Sequence, residues 1–302
     1  HQYFKLLPDS NPAYKLYQKF IHTTDDSQKD VLESTLKTMI QAGKIDVNIM
    51  SKVDKVNRDE EGRALESKYS DAAAALRGYT NSKINSSLVL SAGMNPKLYN
   101  YLAELPHFLP NVDGTFTKKV CLKVSDYRSA NIQAKYLAKK GIWVSEFRVE
   151  SGLNCGGHAF ATEGFLLGPI LEEFKQNHKL LIDDLFSLYA NAMQAKNITL
   201  QQAPQQVITA QGGVGTGEEQ RFLLEYYQLN SIGWGSPFLL VPEATTVDDD
   251  TLGALVAADK NDFYLSGASP LGVPFNNFRK STAESQRLAR IANNRAGAPC
   301  TK

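Results

Sequence analysis

Val120-Cys-Leu-Lys-Val124, Ser129 to Lys139 and Trp143-Val-Ser-Glu-Phe-Arg-Val149 together form the stretch that decides the fold. The outer pieces are short and rich in apolar and β-branched residues, as strands are. The middle piece carries Ala130, Ile132, Ala134, Tyr136 and Leu137 at helical spacing. A strand, a helix and a second strand within about 30 residues make a βα crossover unit, which brings the two strands parallel.

The pattern repeats on both sides. Upstream, Ile45-Asp-Val-Asn-Ile-Met50 alternates as a strand should. A charged stretch from Lys52 to Lys68 follows, most simply a solvated excursion. Next come a helix through Ala72-Ala-Ala-Ala-Leu76 and the strand Ser87-Leu-Val-Leu-Ser91. Gly93 and Pro96 turn the chain into a helix over Lys97 to Ala103. Downstream, a helical region from Leu166 to Ala195 is expected to be one helix, or two broken near Asn177-His178. It leads to the strand Gln206-Val-Ile-Thr-Ala210, a helix from Glu218 to Leu229 and the short strand Ser231-Ile-Gly-Trp234. Six such strands, spaced roughly 25–40 residues apart, imply a parallel α/β sheet with crossover helices. Such a sheet is either an open doubly wound layer or a barrel, and the pattern alone allows both. As a (β/α)8 TIM barrel it would be two strands short at its N-terminal side.

The flanks differ. Residues 1–44 are expected to be a helical segment in which Val31, Leu32, Leu36, Met39 and Ile40 share the apolar face of a helix over Asp30–Ile40. Residues 243–302 are expected to be a helical and loop extension. Within it lie a helix from Asp248 to about Lys260, a Gly/Pro-rich loop over Ser266–Pro274, and a last helix opened by the capping-box pair Ser281 and Glu284. The barrel portion is then 45–242. The chain begins His1-Gln2-Tyr3-Phe4 and stops at a turn-like Ala298-Pro299-Cys300-Thr301-Lys302, so a fragment of a longer chain is expected.

Composition narrows the class. The 302 residues are 42% hydrophobic and 22% charged, which suits a globular chain with a real core. With 33 Lys+Arg against 32 Asp+Glu, no global field steers it to nucleic acid or an anionic membrane. No apolar run is long enough for a transmembrane helix. Cys121, Cys155 and Cys300 are too few for a disulfide framework, which favours a reducing, cytoplasmic setting. The expected partners are a small-molecule substrate and either further copies of the chain or the remainder of a longer one.

In either architecture ligands bind beyond the C-terminal ends of the strands. Three strand ends stand out there. After the fifth strand come Gly212, Gly213, Gly215 and Gly217, just before a helix; such a turn can aim backbone N–H groups at a phosphate, or can simply need positive φ. Gly235-Ser236 follows the next strand, and the last two loops of a βα barrel often share one phosphate. After the fourth strand, Glu150-Ser-Gly-Leu-Asn-Cys-Gly-Gly-His158 places His158 behind Gly156 and Gly157. There an imidazole can act as acid, base or donor, or be structural. Lys123 could neutralise a phosphate or a reduced ring, or could pair within the barrel. Cys155 lacks an identifiable activating partner and fits a buried thiol better than a nucleophile. Glu150 could matter, whereas Glu172-Glu173 and Asp183-Asp184 look like solvated helix faces. His1, His22, His107 and His178 have no ligand spacing, so no metal site is expected.

The run from Val120 to Phe238 resembles the nitronate monooxygenase (2-nitropropane dioxygenase-like) family, FMN-dependent TIM barrels. In that family a Gly-Gly-His follows the sixth strand, a Gly-Gly-Ile/Val loop the seventh and a Gly-Thr/Ser-x-Phe turn the eighth. The resemblance implies FMN as cofactor and His158 as the catalytic histidine facing flavin and substrate. It also implies Gly212, Gly213, Gly235 and Ser236 as the phosphate cradle and Gly156 and Gly157 beside the ring. It makes Ile45–Met50, with Val47-Asn48, similar to the third strand, while the family's first two strands have no counterpart. The likeness spans about residues 45–242 and is strong over 119–240. Asn154-Cys155 stands where Glu-Ala is usual, Thr162–Glu173 departs from the common loop, and residues 243–302 have no equivalent. The function expected is therefore an FMN-dependent oxidoreductase acting on a small acidic carbon substrate. A flavin enoyl reductase shares the same barrel. A non-redox phosphate-binding enzyme and a non-catalytic domain of a longer protein are the alternatives.

Overall fold

The structure, a computed structural model, describes residues 1–41, 43–49, 54–90, 93–111, 113–151, 154–155, 158–159, 166–212, 214–233, 235, 247–267 and 275–297. The chain divides into two compact units, His1–Ile45 and Asp46–Lys302.

The first unit holds helices α1 (Gln2–Lys5), α2 (Pro12–His22) and α3 (Asp26–Met39). Asn11 caps α2 by accepting from the Ala13 amide, with Pro12 in the first turn, and Asp25 caps α3 through the Gln28 amide. Phe4, Ala13, Tyr17, Phe20 and Leu36 form its small core, with Leu32 and Met39 packed against them. Val31 is 66% exposed and Ile40 47%, so the buried stripe of α3 is narrower than the expected five-residue face. The helix starts four residues earlier than expected, at its Asp25 cap, and Val31 turns to solvent.

The second unit is built on six strands: β1 (Val47–Ile49), β2 (Ser86–Leu90), β3 (Lys118–Val124), β4 (Val144–Val149), β7 (Val207–Gln211) and β8 (Ser231–Gly233). Two-residue strands β5 (Asn154–Cys155) and β6 (His158–Ala159) pair with each other antiparallel between β4 and β7. The six strands lie side by side in unbroken chain order, every pair parallel. Five crossover helices join them: α4 (Asp71–Asn81), α5 (Pro96–Glu104), α6 (Tyr127–Lys139), α7 (Leu167–Gln194) and α8 (Gly217–Tyr226). Right-handed crossovers in an order that never reverses put all the helices on one face, so the sheet curls into half a barrel rather than a doubly wound layer.

A contact across the sheet records the curl. Arg148 on β4 reaches the carboxylate of Asp46, at the entry to β1, at 3.0 Å. Three strand spacings of a flat sheet would separate those strands by about 14 Å. The convex face carries the core: Leu88, Leu90, Val120, Leu122, Val124, Phe147 and Val149 pack against Leu76, Tyr99, Leu137, Phe174, Leu185 and Tyr189 of the helices. The alternate residues of the same strands face the concave side and are largely polar. They include Ser87, Cys121, Lys123, Glu146, Arg148 and Thr209.

Expected and observed elements differ at a few places. The charged stretch before α4 is largely exposed among its described residues, as expected. α7 is one helix of 28 residues with no break at Asn177-His178. Its stripe of Ile170, Leu171, Phe174, Leu181, Leu185, Tyr189 and Met193 is buried along the whole length, and packing of that stripe outweighs the weak helix propensity of Asn and His. α8 stops at Tyr226, not Leu229, because Gln228 takes a left-handed conformation (φ 55°) and turns Leu229 into the core.

In the C-terminal part, α9 (Asp249–Val256) is capped by Asp248, and a hairpin of β9 (Phe263–Ser266) and β10 (Phe275–Phe278) precedes α10 (Thr282–Ala292). The hairpin is an addition to the sequence reading; each strand is four residues long, too short to stand out. Ser281 caps α10 as expected through the Glu284 amide, at 3.1 Å. The Glu284 carboxylate does not complete a box. It accepts from Tyr264 Oη, Asn277 and Arg287, and Arg287 first, then Tyr264, hold its pKa down to about 2.

Candidate functional site

Because all six strands run the same way, the loops that follow them leave from one edge of the sheet. β4, β7 and β8 are consecutive neighbours in the sheet order. The segment bearing His158, the Gly212 turn and Gly235 therefore follow three adjacent strands. The backbone of His158 pairs with Cys155 in the small β5–β6 hairpin. The side chains of His158 and Cys155, and all of Gly156, Gly157, Gly213 and Ser236, lie outside the described residues.

Gly212 has φ +80°, a left-handed conformation that a side chain would strain. Its amide donates to the carbonyl of Gly233 at 2.9 Å, so the turns after β7 and β8 are tied to each other through the backbone. A Cβ at Gly212 or Gly235 would meet no atom of the described residues within 4 Å. Further round, Thr216 caps α8 in a complete box. Glu219 Oε2 accepts from the amides of Gly215 at 2.7 Å and Thr216 at 3.0 Å. Those two N–H groups are thus already satisfied from within the chain.

Lys123, near the end of β3, is buried and its Nζ lies 3.3 Å from Glu150 Oε2, just beyond β4. Pairing, one of the two roles open to Lys123 from the sequence, is the arrangement observed. Register explains the meeting. Lys123 stands opposite Arg148, and Glu150, two residues on, points to the same side. One step deeper, Arg148 bonds both Glu146 Oε1 at 2.9 Å and Asp46 Oδ2 at 3.0 Å, while Thr209 donates to Glu146 Oε1 at 2.6 Å. Burial works against the charge on Arg148, but its neighbours Cys121, Glu146 and Asp46 together outweigh it and hold its pKa above the ordinary value. Cys121, beside this cluster, is a free thiol. Burial first, then the Glu146 charge, push its pKa well up, so it stays protonated and inert.

This charged layer escaped the sequence reading. The alternation Glu146-Phe147-Arg148 was its signal, since two charged residues bracketing a core phenylalanine in a buried strand must face inward together. Of the other histidines, His178 is part-buried on α7, and its Nε2 has no hydrogen-bond partner among the described residues. Asp184 pairs with Lys135 at 2.9 Å on the half-exposed side of α7. Among the described residues no group of three or more His, Cys, Asp or Glu could hold a metal ion. Nor is any helix there long and apolar enough to cross a membrane.

What the fold defines is an all-parallel α/β half-barrel with a polar concave face. No family model and no curated protein matches the chain.

Proposed function

We propose that the chain is an FMN-dependent oxidoreductase of the nitronate monooxygenase-like type, acting on a small acidic carbon substrate. One observation carries this reading: the three loops holding the expected flavin-site residues leave one sheet edge from three neighbouring strands, and two of them are joined by the Gly212–Gly233 hydrogen bond. The donor set left for a phosphate fits that cofactor only in part. The amides of Gly212, Gly215 and Thr216 are taken internally, so the phosphate would fall to Gly213, Gly235 and Ser236, of which Gly235 alone lies among the described residues. Lys123 would lie beside the ring with its charge shared with Glu150. Bound FMN would supply the electron acceptor for the substrate carbon. His158 would take or hold the proton of that carbon, and Gly156 and Gly157 would let the ring lie close to the backbone. The free, buried thiol of Cys121 supports a cytoplasmic setting.

The test is spectroscopic. The purified 302-residue chain, titrated with FMN, is expected to quench flavin fluorescence. His158→Ala is expected to keep that quenching and lose turnover of an alkyl nitronate. A colourless chain that leaves flavin fluorescence unchanged removes the proposal. The internal satisfaction of Lys123 and of the α8 amides would then favour the second reading, a non-catalytic domain whose glycine loops are structural turns.

A further inference from the structure

We propose that Glu150 sets the anion affinity of the strand-end site by holding the ammonium of Lys123. The inference rests on the reading of the strand ends as a ligand site and deepens it by giving Glu150 a part in setting the affinity of that site.

Both side chains are about nine-tenths buried, with relative exposures of 9% for Lys123 and 7% for Glu150, and their charged atoms lie 3.3 Å apart. They lie on adjacent strands on the concave side, Lys123 one residue before the end of β3 and Glu150 just past the end of β4, at the sheet edge from which the turns after β7 and β8 leave. Arg148, the cation opposite Lys123 in the strand register, is already committed to Asp46 and Glu146. Among the described concave-face residues of β3 and β4, Lys123 is therefore the cation nearest the strand ends that a small oxyanion such as a nitronate, carboxylate or phosphate would meet, and it is neutralised in advance. An ammonium has three donors, so a ligand oxygen can join Glu150 on Lys123. Two negative groups then share one cation, and that like-charge contact weakens the ligand. Glu150 thus acts as an internal competitor. It makes burial of Lys123 tolerable without ligand, and it restricts the site to anions whose other contacts outweigh the repulsion.

The experiment compares the thermal unfolding of the full chain in inorganic phosphate and in chloride of equal ionic strength. Glu150→Gln leaves Lys123 uncompensated, so phosphate should raise its midpoint more than it raises that of the wild type. The expected difference corresponds to phosphate binding tighter by on the order of tenfold or more. In Lys123→Met/Glu150→Gln the buried pair is neutral and the enhanced response should vanish, which separates Lys123 from phosphate held at the glycine turns. Equal phosphate responses in wild type and Glu150→Gln, or an enhanced response persisting in the double variant, overturn the proposal. Should Glu150→Gln fail to fold, Glu150→Asp decides instead. Its shorter carboxylate loosens the pair and should strengthen the phosphate response, and no gain over the wild type overturns the inference. FMN titration of the wild-type chain reports separately, so failure of the flavin reading and failure of this one are distinguishable.

Discussion

Arg148 shows how a single side chain can hold a curved sheet. It joins β4 to the entry of β1 over the two strands between them, and it is bonded to two carboxylates at once. Removing it leaves Asp46 and Glu146 facing each other in a largely desolvated layer with no cation between them. Breaking a buried pair from one side is costly because the abandoned charge stays behind. Arg148→Met is therefore expected to lower unfolding stability by on the order of 3 kcal/mol, measured by urea denaturation at pH 7. A loss under about 0.5 kcal/mol, the range of an ordinary surface substitution, would mean that the network is not needed to maintain the curl. The alternation along β4 signals that Glu146 and Arg148 share a face, but Asp46, 102 positions away, could not have been named from the chain alone.

At the scale of one element, α7 is the informative case. Its helical extent was legible, whereas its continuity through Asn177-His178 stayed open in the sequence, and packing of the buried stripe along its whole length decides it. That continuity carries His178 into a desolvated position. Burial lowers its pKa from the usual 6.5, with Gln206 opposing the shift in part. A histidine whose folded pKa lies below its unfolded value binds fewer protons when folded. Its contribution is then fully present above about pH 6.5 and is lost as the pH falls through the folded pKa. Unfolding free energy should accordingly decline as the pH drops below 6.5, and His178→Gln should flatten that decline. Parallel denaturation curves for the two proteins between pH 7 and pH 5 would show that other groups are responsible. The β9–β10 hairpin makes the complementary point. Asn276 and Asn277 look like turn residues, yet they pair with β9, and Asn277 also bonds the Glu284 carboxylate.

For the whole molecule, the division at Ile45/Asp46 predicts that residues 46–302 fold without the first helices. That fragment should retain cooperative unfolding and protect Cys121 from alkylation, read by mass spectrometry of the labelled peptide. Rapid labelling of Cys121 in the native fragment would show that the half-barrel depends on the N-terminal unit. The amino-acid sequence by itself determined the six-strand βα order and the helices between. It also determined which strand ends carry glycines and charge, because strand and helix periods and turn residues are local physics acting over a few positions. Only the tertiary structure decided that the sheet curls into half a barrel and that Lys123 is paired with Glu150. It alone decided that Arg148 bridges the concave face and that α7 runs unbroken. Each of these depends on which groups curvature and register bring within a few ångströms, and distance along the chain does not encode that.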